Sequence, residues 1–479
     1  MIDVYLELLI KRQNLDADIK QMSLFSRDDY LNMLHQVLMV YKNNPDLTLD
    51  EMRNILYQKA GIDTIVDDLV YKKNIIPGFV CSYGTPEHRE TIVVGNKSEV
   101  ALKNGKVVEN TQKMEIDTIF DLASVTKLFT SLSILKLVDK NEIKLSDPIT
   151  KYAPEFKNLN GVTIFDLLSF RVPLKTDKRI DNTSSRNEAE YVLHNISINE
   201  NLRPHTYTDM GAMVLKYVIE NVSGKTYYDF LNSEILSEAQ MNNTNIRYDD
   251  PLRIAQTGLD YKITKKGIIL NKKYNDGLPY DQKAVAMGQK DGNLSGHAGL
   301  FSNAEDMIKL SKALIKNKVI SKPLLTEMAK NRLDYDSTPS MIWGSNQTYG
   351  YLVYSKNPNH KYTEVEHFLS GRSFASYGWT GCKLVVDPEN KIYTFFGSNR
   401  SHNRVTGIDK DVKDKIIRHD NRIILPNGKE IVDATRFAFE KDQIIDAITR
   451  LTFQYKMLED INDYLTFDKV EKSVKVRSL

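Results

Sequence analysis

A serine and a lysine three residues apart form the first pair in this sequence whose types and spacing could do chemistry. Ser124 and Lys127 lie in the stretch FDLASVTKLFTSLSIL, where a strand leads into a helical pattern. Residues at i and i+3 share one face of a helix, so a lysine that burial keeps neutral could take the proton of the serine hydroxyl. The first turn of that helix would also offer free backbone N–H groups to an oxyanion.

The same spacing also fits an ordinary helix cap followed by a surface lysine. Ser133 and Lys136 repeat it further along the chain. That second copy lies in the middle of the predicted helix, where no free backbone N–H groups are expected. Spacing alone therefore leaves both interpretations of Ser124 open.

Two later segments could supply further polar groups. Tyr207, in the stretch HTYTDMGAMVLKYVIE, could act as a general acid or base beside a lysine, whose charge would favour the phenolate. The ordinary alternative is a tyrosine in a turn, with Asp209 capping the following helix. In the segment 376–379, SYGW, small residues before a strand would let the backbone approach a ligand closely. Taken alone, this segment also fits a plain hairpin.

The elements that must position these residues follow a simple order. Residues 1–62 show helical spacing, with a capping box from Thr48 to Glu51 and a helix stop at Gly61. Short β-rich runs begin after Pro77-Gly78, and a mainly helical stretch then occupies about 140–340, with helical segments at 210–221 and 304–315. Strand-like runs return at 349–354, 383–386 and 392–396. A last amphipathic helix is expected near 437–459, with a tail over 460–479. Strands on both sides of a helical middle favour one composite domain over 63–459.

Composition excludes several classes of function. The 65 Lys+Arg residues nearly balance the 63 Asp+Glu residues, so we expect no nucleic-acid partner. Two cysteines in 479 residues offer neither a disulfide framework nor a cysteine-rich metal site. We see neither a membrane-spanning run nor the pattern of a secretory signal. The sequence therefore predicts a folded cytoplasmic protein.

In this order and with these flanks, the three segments resemble the serine β-lactamase and penicillin-binding-protein superfamily. The likeness is greatest to its class C-like branch of esterases, D-aminopeptidases and D-alanyl-D-alanine carboxypeptidases. It extends over about residues 63–455 and includes the segments IIPGFV, VSGKTYYDFL, SGHAGLFSNAEDM and WTGCKLVVDPENKIYTFFGSNR. The resemblance implies an α/β (α+β) fold of the β-lactamase/transpeptidase type. Such a fold has a mostly antiparallel sheet flanked by helices, with a helical lobe inserted at about 140–340.

The resemblance also implies roles for individual residues. Ser124 would form an acyl-enzyme, while Lys127 and Tyr207 would transfer protons. The oxyanion would lie between the backbone N–H groups of Ser124 and Trp379, and Asp209 and the segment Ser376-Tyr377-Gly378 would contact the substrate. Neither a metal nor an organic cofactor is implied.

Three departures from the family pattern bear on specificity. Relatives usually carry Lys-Thr-Gly or His-Thr-Gly where this chain has Ser376-Tyr377-Gly378, so the cation that would meet a substrate carboxylate is missing. Arg372, Lys383 and Arg400 are the nearby candidates to replace it. Asp209 stands in place of the usual asparagine, and its charge should favour protonated Lys127. The third departure is the stretch IFDLLSFRVPL, where relatives often have LLTHTSGL.

Two other residues invite a catalytic interpretation that we do not favour. His297, in SGHAGLF, matches a family position that is a structural turn, so we predict a structural role. Cys382 could be a thiol nucleophile, but a small residue at the start of a strand explains it better because no partner histidine is evident.

The sequence thus predicts a serine hydrolase that opens an ester or amide bond through an acyl-Ser124 intermediate. An esterase-like substrate is slightly favoured because of the missing cation. The alternatives are penicillin binding, D-Ala-D-Ala carboxypeptidase or β-lactamase activity, and a catalytically degenerate binding or regulatory protein of the same fold. The expected partners are a small ester, an amide or a D-amino-acid peptide. A homo-oligomer could form through the N-terminal helices.

Overall fold

The computed structural model describes residues 24–271, 277–332, 338–339, 346–357, 363–424, 428, 430–435 and 437–476. Its strands are, in chain order, β1 Gly78–Gly84, β2 Arg89–Lys103, β3 Lys106–Lys113, β4 Phe120–Asp121, β5 Leu174–Lys175, β6 Ser197–Ile198, β7 Tyr261–Thr264, β8 Gly267–Leu270, β9 Phe301–Ser302, β10 Thr338–Pro339, β11 Asn346–Gln347, β12 Tyr354–Ser355, β13 Phe374–Tyr377, β14 Lys383–Asp387, β15 Ile392–Ser398, β16 Val405–Ile408, β17 Ile417–His419, β18 Arg422–Ile424 and β19 Glu430–Val432.

The helices are, in chain order, α1 Leu24–Asn43, α2 Leu49–Ala60, α3 Ile62–Val66, α4 Thr126–Asp139, α5 Ile164–Leu168, α6 Arg186–His194, α7 Met210–Ser223, α8 Tyr227–Leu231, α9 Gln282–Ala286, α10 Ala304–Ile315, α11 Lys322–Ala329 and α12 Phe437–Val476. The helix predicted near 437–459 therefore continues through much of the stretch that we assigned to a tail. A capping box at Thr48 opens α2, and Gly61 ends it with a φ of 65°, as the sequence predicted.

Seven strands form the main sheet in the order β12-β13-β14-β15-β1-β2-β3. Every neighbouring pair in this sheet is antiparallel. Strands from before and after the helical middle therefore meet, with β1 paired to β15 through Phe79 opposite Ser398. This arrangement confirms the antiparallel sheet with an inserted lobe.

Each face of the sheet is covered by a different set of helices. Side chains alternate along a strand, so Val80 joins the core of the inserted lobe while Phe79 and Cys81 join the opposite core. The lobe core contains α4, which is apolar and buried around almost its whole circumference. The opposite core is built by α1, α2 and α12. The N-terminal helices thus complete the second layer of the fold.

One strand prediction was wrong in detail. We expected a strand over the run from Tyr349 to Tyr354, but β12 begins only at Tyr354. Before it the chain bends, and Tyr349 and Tyr354 form an isolated bridge with each other. Within the described residues, no helix has the length and apolar character needed to cross a membrane.

Candidate active site

Ser124 lies at the turn between β4 and α4. The residues Ala123–Val125 form one turn of 3₁₀-helix, after which the chain continues directly into α4. Ala123 has a φ of 46°, a left-handed conformation that a residue with a Cβ rarely adopts. Its N–H donates to Asp121 Oδ1 at 2.9 Å. The turn is therefore strained and held in place, and it leaves Ser124 partly exposed above a buried helix.

Asp121 ties this turn to two other segments. Its Oδ2 accepts the N–H of Tyr280 at 2.7 Å, and its main-chain carbonyl accepts the Thr380 hydroxyl at 2.6 Å. Burial raises the pKa of the carboxyl to about 6, although both N–H donors oppose that shift. The sequence analysis missed this residue. A carboxylate in a buried strand three residues before the candidate nucleophile is the signal that could have found it.

Lys127 is buried directly behind Ser124. Its side chain is 1% exposed, and its Nζ has three acceptors: Ser124 Oγ at 2.9 Å, the His297 carbonyl at 3.2 Å and Asp209 Oδ1 at 2.7 Å. Burial lowers the pKa of the amine, but Asp209 and Tyr207 prevail and raise it above its usual value. A raised pKa together with the contact to the Asp209 carboxylate favours the ammonium form. The neutral lysine that burial alone would give is therefore not the resting form, which is the effect expected from Asp209.

Tyr207 lies beside this ammonium. Lys127 Nζ is 4.9 Å from the centre of the Tyr207 ring. The ring stacks on Phe170 at a centroid distance of 5.1 Å and lies parallel to Tyr354 at 6.2 Å. The ring centre of Tyr349 also lies 6.2 Å from that of Tyr207. These aromatic neighbours fix the half-buried phenol next to the Ser124–Lys127 pair, which brings together the three residues predicted as catalytic.

The ordinary interpretation of this segment required Asp209 to cap α7, but its side chain does not do so. It precedes the helix, but its side chain accepts no capping hydrogen bond. Its two oxygens instead contact two lysines, Lys127 at 2.7 Å and Lys283 at 2.6 Å. Burial opposes the charged carboxylate, yet the two lysines hold the pKa of Asp209 well below its usual range. The acidic departure from the family pattern therefore serves as a bridge between two cations.

A second carboxylate extends this network. Asp281 caps α9 through the N–H groups of Lys283 and Ala284. Its Oδ1 lies 3.0 Å from His297 Nε2, and its Oδ2 lies 3.6 Å from Lys283 Nζ. Ligand atoms of Asp209, Asp281 and His297 lie within 4.8 Å of one another, so their spacing alone would suit a metal ion. The Lys283 ammonium already supplies the positive charge between the two carboxylates.

His297 is buried, with Nδ1 near Ser295 Oγ at 3.1 Å and Nε2 bound to Asp281. Its carbonyl accepts from Lys127, so its contacts fit the structural role that we predicted. Cys382 is buried as well, and burial raises the pKa of its thiol to about 12. The burial of Cys382 and the raised pKa of its thiol fit a structural residue rather than a nucleophile.

On the opposite side of Ser124, the chain leaves β13 through Ser376-Tyr377-Gly378. Strand β12 pairs with Phe374 and Ala375, so the triplet lies just beyond that pairing. A Cβ at Gly378 would lie 2.3 Å from the Leu122 carbonyl. Only glycine therefore lets this segment press against the turn that holds Ser124. Trp379 follows immediately, where the predicted oxyanion donor belongs.

The three cations proposed to replace the missing lysine or histidine differ sharply. Arg372 is partly exposed and pairs with Glu389 at 2.8 Å. Lys383 is buried and pairs with Glu366 at 3.1 Å. Arg400 is also buried, and its Nη1 lies 3.3 Å from the Tyr377 hydroxyl.

Arg400 is the unusual member of this set. Its guanidinium carbon lies 4.2 Å from the Trp379 ring centre and 5.3 Å from that of Phe437. Among the described residues, its Nε and Nη2 have no hydrogen-bond partner. Arg400 therefore contacts both the altered triplet and Trp379, and none of the described residues pairs a carboxylate with it.

A model of the Beta-lactamase family matches residues 76–416. The chain belongs to this family. A putative D-alanyl-D-alanine carboxypeptidase from Escherichia coli is 26% identical over 332 residues, which are 64% of this chain and 74% of that protein. As a member of the family, the protein is a serine hydrolase that acts on ester or amide bonds.

Two solved structures show the same fold. EstCE1, a hydrolase with promiscuous acyltransferase activity, superposes with a TM-score of 0.57 at 15% identity, over 83% of this chain and 99% of its own. D-amino acid amidase from Ochrobactrum anthropi gives a TM-score of 0.55 at 18% identity, over 82% and 99%. These likenesses agree with the mixed helix and antiparallel-sheet architecture described above.

Proposed function

We propose that Ser124 attacks the carbonyl carbon of an ester or amide and forms an acyl-enzyme, which water then hydrolyses. The observation that carries this proposal is the 2.9 Å contact between Ser124 Oγ and Lys127 Nζ at a strained turn. The serine proton passes to the Lys127–Tyr207 pair and then to the leaving group, so that the leaving alcohol or amine departs neutral. Water attacks the ester of Ser124 by the same route in reverse.

Lys127 and Tyr207 divide the proton transfer between them. Because Lys127 rests as an ammonium, the pair can accept the serine proton only after it has released one proton of its own to solvent. The Tyr207 oxygen is then the acceptor, while Lys127 stays an ammonium. The ammonium then stabilises the negative charge that develops around the serine and the phenol. The backbone N–H groups of Ser124 and Trp379 would hold the oxyanion.

The triplet Ser376-Tyr377-Gly378 favours an ester without a free carboxylate. Arg372 and Lys383 are already paired with carboxylates, and Arg400 is enclosed between two rings. The rings of Tyr207 and Tyr354, which are partly exposed and parallel to each other, suit an apolar acyl group. A D-Ala-D-Ala carboxypeptidase or penicillin-binding activity is the second candidate, supported by the 26% identity to the putative carboxypeptidase.

Covalent probes test both candidates on the full-length protein. A fluorophosphonate probe should label the wild type and fail to label Ser124→Ala. Ser133→Ala is the matched control, because it repeats the S-x-x-K spacing inside α4 and should keep labelling. Labelling by a fluorescent penicillin in addition would move the assignment toward the penicillin-binding candidate. If Ser124→Ala labels as strongly as the wild type, the acyl-Ser124 mechanism is wrong.

Three other predictions from the sequence stay predictions. They are a cytoplasmic location, catalysis without a metal or organic cofactor, and a homo-oligomer formed through the N-terminal helices. The burial of α1 and α2 against α12 in the same chain favours the alternative that these helices are a structural layer.

A further inference from the structure

We propose that Lys283 is a positioning residue that divides the charge of Asp209 with Lys127 and thereby sets the pH at which the catalytic pair becomes active. The inference rests on the proposed function, because it concerns the proton affinity of the Lys127–Tyr207 pair. It assigns a role to a residue outside the three family motifs.

The geometry supports a shared carboxylate. Asp209 gives one oxygen to each lysine, with Oδ1 at 2.7 Å from Lys127 Nζ and Oδ2 at 2.6 Å from Lys283 Nζ. Lys283 is held from the other side by Asp281, whose carboxylate also caps the helix on which Lys283 lies. Its amine is thus placed by two contacts and by the start of α9.

The charges around the pair can be followed from group to group. Asp209 and Tyr207 raise the pKa of Lys127. Lys127, Lys283 and His297 lower the pKa of Asp209. Burial lowers the pKa of Lys283, but the carboxylates of Asp209, Asp281 and Asp181 outweigh burial and raise it. His297 and Lys283 lower the pKa of Asp281. Lys283 is therefore the one cation besides Lys127 that contacts Asp209 within the described residues.

The direction of the effect follows from this arrangement. Without Lys283, the full negative charge of Asp209 would act on the Lys127–Tyr207 pair and increase the affinity of that pair for its proton. The pair must lose a proton to accept one from Ser124. Loss of Lys283 therefore moves the acid limb of activity to higher pH, whichever member of the pair carries the proton.

Four variants separate this role from a structural one. The readout is the pH profile of kcat/KM for p-nitrophenyl butyrate, together with the rate of fluorophosphonate labelling at each pH. Lys283→Met should shift the acid limb upward by about one to two pH units. Asp209→Asn should shift it downward. The double variant, which removes one positive and one negative charge, should return close to the wild-type limb, and Lys283→Arg should preserve it.

A purely structural role would lower the melting temperature of Lys283→Met and leave the acid limb in place. That result, with Ser124 still labelled, would overturn the inference and spare the proposed function. If the probe no longer labels Ser124 specifically, both the inference about Lys283 and the proposed function are overturned. If Lys283→Met does not fold, Lys283→Gln measured by labelling rate against pH supplies the same comparison, and an unshifted limb there would equally count against Lys283.

Discussion

Two pairs of lysines lie close to the candidate site residues, and they differ in what they touch. The first, Lys127 and Lys283, surrounds Asp209 behind Ser124. The second, Lys383 and Lys441, lies behind the triplet segment among Glu364, Glu366 and Asp442. Lys127 and Lys383 are equally buried, each with a side chain 1% exposed. For Lys127 and for Lys383, neighbouring carboxylates outweigh burial and raise the pKa of the amine.

The two lysines differ in the chemical type of their neighbours. Lys127 donates to the hydroxyl of Ser124, whereas the described contacts of Lys383 are carboxylates. Lys441 adds a contact with the ring of Tyr377, whose centre lies 4.4 Å from its Nζ. Burial and a raised pKa therefore do not identify a catalytic lysine in this protein. What distinguishes Lys127, the lysine that we propose as catalytic, is a partly exposed hydroxyl within hydrogen-bond distance.

Removing Lys127 should give the largest effect on activity. We expect Lys127→Met to lower kcat/KM by roughly 10³- to 10⁴-fold, because the variant loses the charge that supports proton transfer from Ser124. Esterase kinetics measure the loss, and circular dichroism checks that the variant is folded. A folded variant that keeps more than about a tenth of the activity would show that Lys127 is no more catalytic than Lys383.

The same substitution in the second pair should act on stability instead. Lys383→Met leaves Glu366 without its ammonium in a buried site, which costs about 3 to 5 kcal/mol. Urea unfolding measures this loss, while the labelling rate of the folded fraction should match the wild type. Lys316→Met, at an exposed lysine, is the control and should change stability by less than about 0.5 kcal/mol. A slower labelling rate in folded Lys383→Met would remove the distinction between the pairs.

Local sequence patterns were sufficient to predict most of the fold. The capping box at Thr48 and the helical spacing of α7 and α10 depend on residues a few positions apart. The Ser124–Lys127 contact is equally local, since one helical turn brings the two side chains together. Tyr207 and the triplet segment were candidates from their residue types, and the resemblance supplied their roles. Their placement beside Ser124 needs contacts between segments that are far apart in the chain.

The rest of the site depends on contacts that no local pattern encodes. Lys283 lies 74 positions after Asp209 in the numbering, so no helical or strand spacing relates the two residues. Asp121 was overlooked because its role is to accept main-chain N–H groups, which have no sequence signature. Asp209 was given the correct influence on Lys127, but its second lysine partner could not be deduced from spacing.

Arg400 offers the smallest of the expected effects and the finest test of the comparison. It is a buried cation like Lys127 and Lys383, but in the described structure no carboxylate pairs with it. Replacing it removes stacking on Trp379, worth about 1 to 2 kcal/mol, and also removes an unneutralised buried charge, whose desolvation opposes folding. We therefore expect Arg400→Met to change the free energy of unfolding by less than about 1 kcal/mol.

The same variant should slow acylation. Arg400 packs on the Trp379 ring and contacts the Tyr377 hydroxyl, so its loss should loosen the segment that we propose as the source of an oxyanion donor. We expect the fluorophosphonate labelling rate to fall about tenfold, in line with a misplaced backbone donor. Arg400→Lys should not restore it, because an ammonium lacks the flat guanidinium face that stacks between two rings. A stability loss above about 3 kcal/mol with unchanged labelling would place Arg400 with Lys383 as a structural cation.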